Sequence, residues 1–240
     1  MRVKAVISYD GASFRGFQKQ KSTNLTVTQA VEEALVSIGI KNSIRGGGRT
    51  DKGVHATGQV IDFIVPYFWR DLNRLRDILN RKLNGVYFKH ISSVDSSFHA
   101  RFSAKRRIYR YIFKTTKPSI FEERYISYYP NFNREILNRS LKLFEGEHDF
   151  GYFLKSGTVT NSNIRTIYRA YYMEYKKYHI IYFEANGFLR SQVRLMVDFA
   201  IKVSLKELTI SQQLQQLELK KRYSTALAPP NGLYLARIIY

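Results

Sequence analysis

The chain has 240 residues, with 39 lysines and arginines against 19 aspartates and glutamates, a formal net charge of +20 at pH 7. Its 44% hydrophobic and 15% aromatic content excludes a disordered basic tail, and the absence of cysteine excludes disulfides, thiolate metal sites and cysteine nucleophiles. No apolar run could span a membrane, and the first ten residues lack a signal peptide's apolar stretch. We therefore expect a cytoplasmic protein that binds a polyanion, most readily a nucleic acid. The alternative is that the positive charge serves solubility alone.

The first half of the sequence predicts the element order β-α-β-α-β. Residues 2–9 alternate as a strand, and Thr26 can cap a helix that runs to Ile38. Three consecutive glycines then open a loop, and residues 59–65 alternate again. The remaining predicted elements of this half are a basic amphipathic helix over 70–83 and a strand over 86–94.

The second half follows a similar order, without a repeat in its sequence. We expect strands over 108–113 and 233–240, helices over 134–144 and 189–204, and two aromatic-rich strands within 167–183 that turn near Lys176 and Lys177. The turn-rich stretch 151–163 predicts a mobile loop. The fold class predicted is α+β, with two similar α/β halves, 1–97 and 98–240, and antiparallel sheets covered by helices on one side.

Basic residues concentrate between positions 96 and 121, where no acidic residue occurs. On a strand, Tyr109 shares a face with Tyr111 and Phe113, while Arg110 lies on the other face. Basic side chains can neutralise phosphates, and exposed rings can stack on unpaired bases. The alternative for the rings alone is a core face, which is the commoner fate of aromatic side chains. The seven basic residues are Arg101, Lys105, Arg106, Arg107, Arg110, Lys114 and Lys117.

The segment with the clearest chemical content runs from Gly46 to Gly58 and has five glycines in 13 residues. Arg49 precedes Asp51 by two positions, and a nearby guanidinium favours the ionised form of a carboxylate. An ionised carboxylate suits a nucleophile or the stabiliser of a cation. The alternatives are a tight turn capped by the aspartate and a calcium loop, although calcium would need several carboxylates. The lysine and serine or threonine of a phosphate-binding loop are missing.

Seven segments of this chain, in order, resemble the tRNA pseudouridine synthase A (TruA) family. They are YDGASFRGFQKQ at 9–20, TVTQAVEEAL at 26–35, GRTDKGVHATGQV at 48–60, FHARFSAKRRIYRYIF at 98–113, GEHDF at 146–150, FLRSQVRLMV at 188–197 and TALAPPNGLYL at 225–235. The sequence departs from the family pattern at Phe17, where tryptophan is usual, at Thr28, where glutamine is, and at Gln192, where methionine is. After GEHDF it reads Gly-Tyr-Phe in place of the usual Ser/Thr and Phe, which changes a substrate-facing loop.

The resemblance implies roles for four residues. Asp51 falls on the catalytic aspartate, and Arg49 on an arginine that assists base flipping and pairs with that aspartate. Tyr109 falls on the tyrosine that stacks on the target base, with a candidate role in the later proton transfer. Arg194 falls on an arginine that holds the catalytic carboxylate by a salt bridge. A local pair between Arg194 and Asp198, one helical turn away, is the alternative from spacing alone.

Further residues are expected to contact RNA. Arg190 lies one turn before Arg194 on the predicted helix, and two like charges at that spacing call for an anion between them. Lys52 follows the catalytic aspartate and is expected to face solvent or phosphate. The full set expected to bind RNA is Arg101, Lys105, Arg106, Arg107, Arg110, Lys52 and Arg190.

The implied activity is isomerisation of uridine to pseudouridine in the anticodon stem-loop of tRNA, at positions 38, 39 and 40. The carboxylate either attacks the sugar or starts a route through a glycal, and both stay open. We expect no cofactor, because the reaction needs no redox change or metal and the five histidines lack metal-ligand spacing. The resemblance also implies a homodimer and an extended antiparallel sheet with a central active-site cleft. The alternative function is that of a non-catalytic RNA-binding protein or RNA chaperone.

Overall fold

Two units make up the structure, a computed structural model that describes residues 1–158 and 160–240. The first unit is Met1–Lys105 together with Tyr234–Tyr240, and the second is Arg106–Leu233. The described residues form ten β-strands and five α-helices, and most strand pairs are antiparallel, which confirms the predicted mixed α and β class. Within this described part of the chain, no helix has the length and apolar character needed to cross a membrane.

The sheet of the first unit has the strand order β4-β1-β3-β10, with β2 paired to β3. The alternation that predicts β1 is matched by burial, since Val3, Ala5, Ile7 and Tyr9 are all at most 5% exposed. β3 pairs antiparallel with β1 and parallel with β10. The strands are β1 (Arg2–Tyr9), β2 (Arg45–Gly46), β3 (His55–Ile64), β4 (Val86–Ser93) and β10 (Leu233–Ile239).

Two capped helices belong to the first unit, α1 (Val27–Val36) and α2 (Leu72–Lys82). The predicted cap is confirmed, because the Thr26 side chain accepts a hydrogen bond from the backbone N–H of Gln29 at 3.2 Å. The centre of each predicted apolar stripe is buried, at Val31 and Leu35 on α1 and at Leu75 and Leu79 on α2, and α2 packs against β4. Short 3-10 turns occur in both units, at Gly11–Ser13, Tyr67–Trp69, Gly151–Phe153 and Pro230–Gly232.

The sheet of the second unit has the order β5-β9-β8-β7, all antiparallel, with β6 parallel to β5. One face of this sheet packs against helices, and Phe144, just after α3, meets Phe183 of β9. The strands are β5 (Arg106–Lys114), β6 (Ser127–Tyr128), β7 (Gly146–Asp149), β8 (Ile164–Tyr175) and β9 (Tyr178–Ala185). The helices are α3 (Arg134–Lys142), α4 (Gln192–Ser204) and α5 (Ile210–Leu217).

The structure corrects the predicted start of the late helix. α4 begins at Gln192 and not at Leu189, because Ser191 has a left-handed backbone with φ 58° that interrupts helical geometry. Arg190 therefore lies outside the helix, and the expected pair one turn apart on it is wrong.

The stretch predicted to be a mobile loop, 151–163, is partly ordered into the core. Its first residues form a 3-10 turn in which Phe153 is fully buried. Residue 159 lies outside the described residues.

Candidate active site

Backbone and side-chain contacts on both sides of Asp51 hold the glycine-rich loop of the first unit. The carbonyl of Thr50 accepts a hydrogen bond from the N–H of Phe17 at 3.1 Å, and its hydroxyl is hydrogen-bonded to that of Tyr9 at 2.7 Å. Val54 N–H donates to the carbonyl of Asp51 at 3.1 Å, which closes a turn around the aspartate. The loop thus presents Asp51 from a backbone fixed before and after it.

Gln59, fully buried on β3, anchors the glycines that precede the aspartate. Its Nε2 donates to the Gly48 carbonyl at 2.6 Å, and its Oε1 accepts from the Gly48 N–H at 3.2 Å. Glycine is required at Gly46, since a Cβ there would lie 2.3 Å from the ring of Phe17. The glycines therefore allow a close approach of the loop to its neighbours, as well as turning the chain.

Tyr9 is a neutral partner of this loop. Burial raises the pKa of Tyr9 far above its usual value, and the hydrogen bond with Thr50 lowers it by a smaller amount. The phenol therefore stays protonated and holds Thr50 in place beside Asp51.

His55 supports the far side of the same loop. Its Nδ1 accepts a hydrogen bond from the N–H of Gly11 at 3.0 Å, and its ring stacks on Tyr234 with centroids 4.8 Å apart. A Cβ on Gly11 would lie 2.1 Å from the carbonyl oxygen of Val54, so these two backbones can approach only because of the glycine. The contacts give His55 a structural role in positioning the turn.

Three of the predicted site residues lie together on this loop. Asp51 is half-buried, while the side chains of Arg49 and Lys52 are exposed. The carboxylate therefore sits at the surface of the first unit with two cationic side chains beside it in sequence, an arrangement open to a large ligand.

Tyr109 lies in the second unit, on the face of β5 that carries Tyr111 and Phe113. Tyr111 and Phe113 are fully buried and Tyr109 is nearly so, which confirms the core alternative for all three rings. Tyr109 is 7% exposed and meets the ring of Phe188 edge to face, with centroids 5.2 Å apart and planes at 85°. Its ring is therefore held in one orientation by an aromatic contact.

The sequence gives no specific signal for Phe188 beyond its place at the start of the FLRSQVRLMV segment. The turn that carries it is held by Gln192, which is fully buried and whose Oε1 accepts from the Leu189 N–H at 2.7 Å. Ser191 adopts its left-handed conformation in the same turn. Non-glycine residues with positive φ concentrate at functional sites, where surrounding contacts enforce them.

Arg194 lies on α4 and is half-buried. Its Nε donates to the carbonyl of Ala228 at 2.7 Å, and its own carbonyl accepts from the Ala228 N–H at 3.1 Å. Asp198, the partner suggested by spacing, accepts from Lys202 Nζ at 2.9 Å. The segment around Ala228 therefore orients the guanidinium of Arg194.

The residues expected to bind RNA are not equally available. Arg110 is exposed on the face of β5 opposite Tyr109. Arg106 donates to the Glu184 carboxylate at 2.8 Å and lies over the ring of Tyr168, so part of its charge is already balanced. Arg107 donates to a backbone carbonyl at 2.8 Å. All but Arg107 are exposed, namely Arg101, Lys105, Arg106, Arg110, Lys52 and Arg190.

Over residues 1–158 and 160–240, no three histidine, aspartate or glutamate side chains group closely enough to hold an ion.

Comparison with known proteins gives the class to which this fold and loop belong. A family model described as tRNA pseudouridine synthase matches residues 5–103 and 141–240. The chain therefore belongs to the tRNA pseudouridine synthase family.

Individual relatives agree with this assignment. The tRNA pseudouridine synthase A of Helicobacter hepaticus is 42% identical over 243 residues, covering 99% of this chain and 98% of its own. The tRNA pseudouridine synthase A of Wolinella succinogenes is 38% identical over 237 residues, covering 98% and 93%. A solved Cbf5-Nop10-Gar1 complex contains a weak structural match, with TM-score 0.35 and 12% identity over 83% of this chain and 45% of that one.

Proposed function

We propose that this protein isomerises uridine to pseudouridine in tRNA, at positions 38, 39 and 40 of the anticodon stem-loop. The observation that carries the proposal is Asp51, presented on a glycine-rich loop that buried contacts hold on both sides. Family membership over nearly the whole chain supports the same reaction.

The reaction is an isomerisation in which atoms and electrons balance. The bond from ribose C1′ to uracil N1 breaks, the uracil turns, and a bond from C1′ to C5 forms. The proton at C5 leaves and N1 gains one, so no oxidant or reductant is consumed. A carboxylate beside C1′ supports either direct attack on the sugar or a glycal route.

We propose that Asp51 supplies this carboxylate and that Arg49 assists base flipping. Extruding a base from a helix costs unstacking energy, which a wedge and a new stacking surface offset. Tyr109 stacks on the flipped base and is the candidate for the later proton transfer. The edge-to-face contact with Phe188 supports this role, because a fixed ring loses little freedom when the base arrives. Arg194 completes the proposed set by holding the carboxylate.

The +20 charge supports tRNA as the partner. We propose phosphate contacts from Arg101, Lys105, Arg106, Arg107, Arg110, Lys52 and Arg190, with Arg106 the weakest because Glu184 already pairs with it. Each phosphate contact releases counterions, so affinity for tRNA should fall steeply as salt rises.

We also propose that the protein is a homodimer in the cytoplasm. Within each chain, the aspartate loop belongs to the half 1–97, and Tyr109 and Arg194 belong to the half 98–240. The sheet face of the second unit opposite the helices supports self-association. Tyr171 and Tyr182 stack there with centroids 4.8 Å apart, and Met173 and Tyr175 are 42% and 58% exposed. Analytical ultracentrifugation would test it, since a monomer at micromolar concentration would contradict the proposal.

The function is tested by incubating the protein with unmodified tRNA transcripts and mapping pseudouridine by chemical modification and primer extension. We expect new pseudouridine at positions 38, 39 or 40. Folded protein that binds tRNA yet forms no pseudouridine would refute the proposal and favour a non-catalytic RNA-binding protein.

A further inference from the structure

The turn Tyr67–Trp69, between β3 and α2 of the first unit, presents two aromatic rings to solvent. Tyr67 is 77% exposed and Phe68 is 67% exposed. Adjacent exposed rings form an apolar patch on the surface, and such patches mark sites where a ligand or a partner binds.

Hydrogen bonds hold the backbone before and within this turn. Before the turn, the Val65 N–H donates to the Met1 carbonyl at 2.8 Å, and the Met1 amino group donates to the Val65 carbonyl at 2.9 Å. Within it, the Trp69 N–H donates to the Pro66 carbonyl at 3.0 Å. The Trp69 indole N–H donates to the Ile38 carbonyl at 3.0 Å, which ties the turn to the end of α1.

One arginine lies against the ring of Tyr67, and two more are exposed on the helix that follows the turn. The guanidinium of Arg70 lies 4.5 Å from the centroid of the Tyr67 ring and donates to its hydroxyl at 3.0 Å. Arg74 and Arg81 are exposed and lie seven residues apart, on the same side of α2.

The acidic residues of this segment are occupied locally. Asp71 caps α2 by accepting from the Arg74 N–H at 2.9 Å, and Asp77 accepts from the Arg76 guanidinium at 2.8 Å. Residues 66–83 hold five arginines and lysines against these two aspartates, so the surface around the rings carries a net positive charge. Such a surface favours a polyanion over a basic or neutral binding partner.

We propose that Tyr67 and Phe68 form a stacking platform for unpaired bases of tRNA, with Arg70, Arg74 and Arg81 contacting the adjacent phosphates. Aromatic rings beside arginines bind single-stranded nucleic acid. The rings stack on the π-faces that every base has, and the arginines contact the phosphates that join the nucleotides. The loops of tRNA supply such bases. The platform rests on the proposed function only in taking tRNA as its ligand, and it is a contact separate from the basic segment 96–121.

Trp69, the only tryptophan of the chain, makes the platform directly observable. Its ring lies 5.9 Å from that of Phe68, so a base stacked on the platform changes the environment of the indole. Titration of the full-length protein with unmodified tRNA transcript should quench tryptophan fluorescence, with the same Kd as filter binding. Binding by filter assay with unchanged fluorescence would overturn the inference.

Two sets of variants separate stacking from charge. The double variant Tyr67→Leu, Phe68→Leu keeps apolar bulk but removes the π-faces, and should raise the Kd for tRNA by roughly five- to a hundredfold per base lost. For this variant, the slope of log Kd against the logarithm of the salt concentration should equal that of the wild type. Arg74→Ala should reduce that slope by about one. Tyr87→Leu is the matched control, because Tyr87 is 56% exposed on β4 of the same unit and should leave Kd unchanged.

Failure of the platform is distinguishable from failure of the proposed function. If wild-type protein forms pseudouridine while the double variant binds tRNA normally, the platform is wrong and the function stands. If the double variant alters sedimentation but not Kd, the turn contacts a second protein chain and the inference is also overturned. A wild type that forms no pseudouridine contradicts the function, while the fluorescence titration still decides the platform.

Discussion

A buried carboxylate, Asp62 on β3, ties the aspartate loop to the rest of the first unit. It is fully buried and accepts hydrogen bonds from Arg2 Nη1 at 2.7 Å, from Arg45 Nε at 2.9 Å and from the Ala100 N–H at 2.8 Å. Arg45 also pairs through Nη2 and leads directly into the glycines before Asp51. Replacing Asp62 by Asn therefore tests how the loop is held.

The expected cost of Asp62→Asn follows from this burial. Removing one partner of a buried ion pair costs about 3–5 kcal/mol, because the remaining charges stay poorly solvated. The side chains of Arg2 and Arg45 are 18% and 37% exposed and regain some hydration, so we expect the lower end, about 3 kcal/mol. That is a large part of the roughly 5–15 kcal/mol that stabilises a typical folded protein.

Urea denaturation at pH 7, followed by far-UV circular dichroism, measures this loss. Asp77→Asn is the matched control in the same unit, since Asp77 is 54% exposed in its pair with Arg76 and its loss should cost at most about 1 kcal/mol. We also expect Asp62→Asn to slow pseudouridine formation. Equal losses of stability in the two variants would show that the buried pairs of Asp62 contribute no more than an exposed ion pair.

Three further predictions concern the site and its support. Gly11→Ala places a Cβ 2.1 Å from the Val54 carbonyl oxygen, so the turn around Asp51 must shift; we expect at least a tenfold loss of kcat on tRNA transcripts, and a near-normal rate would contradict this. Phe188→Ala removes an edge-to-face contact worth about 0.5–1.5 kcal/mol and should lower kcat up to about tenfold, with Phe188→Tyr restoring it; equal rates in both variants would argue against a positioning role. Burial raises the pKa of Tyr129 to about 12, so the unfolded chain ionises first and stability should be lost as pH rises from about 10 to 12. Urea midpoints between pH 9 and 11.5 should fall less in Tyr129→Phe than in the wild type, and parallel curves would refute the assignment.

Local signals predicted most elements, and the misses have physical reasons. Alternating burial identified β1, and the Thr26 cap identified α1, because both depend on residues adjacent in sequence. The sequence analysis does not predict helix α5, because glutamines fill half of it, although Thr209 and Gln212 form a capping box that the sequence shows. The start of α4 was misplaced because nothing in the sequence indicates the left-handed backbone of Ser191.

Motif similarity identifies Asp51, Tyr109 and Arg194 as site residues, but tertiary contacts hold them in place. Phe188 meets Tyr109 across 79 positions of sequence, and Asp62 collects donors from two distant segments. Contacts of this kind arise from strand pairing and packing, which periodicity does not encode. The family resemblance therefore gave the chemistry, while the structure supplies the residues that orient it.

We propose that the Asp51 carboxylate carries out the chemistry, and replacing Asp51 by Asn is the decisive experiment. Uridine loses the proton at C5 when pseudouridine forms, so release of tritium from tRNA transcripts labelled at C5 follows turnover. With enzyme in excess over tRNA, we predict no release above background by Asp51→Asn, with a Kd for tRNA within about twofold of the wild type, since an isosteric amide leaves the basic surface intact. Tritium release at a rate near that of the wild type would show that another group carries out the chemistry.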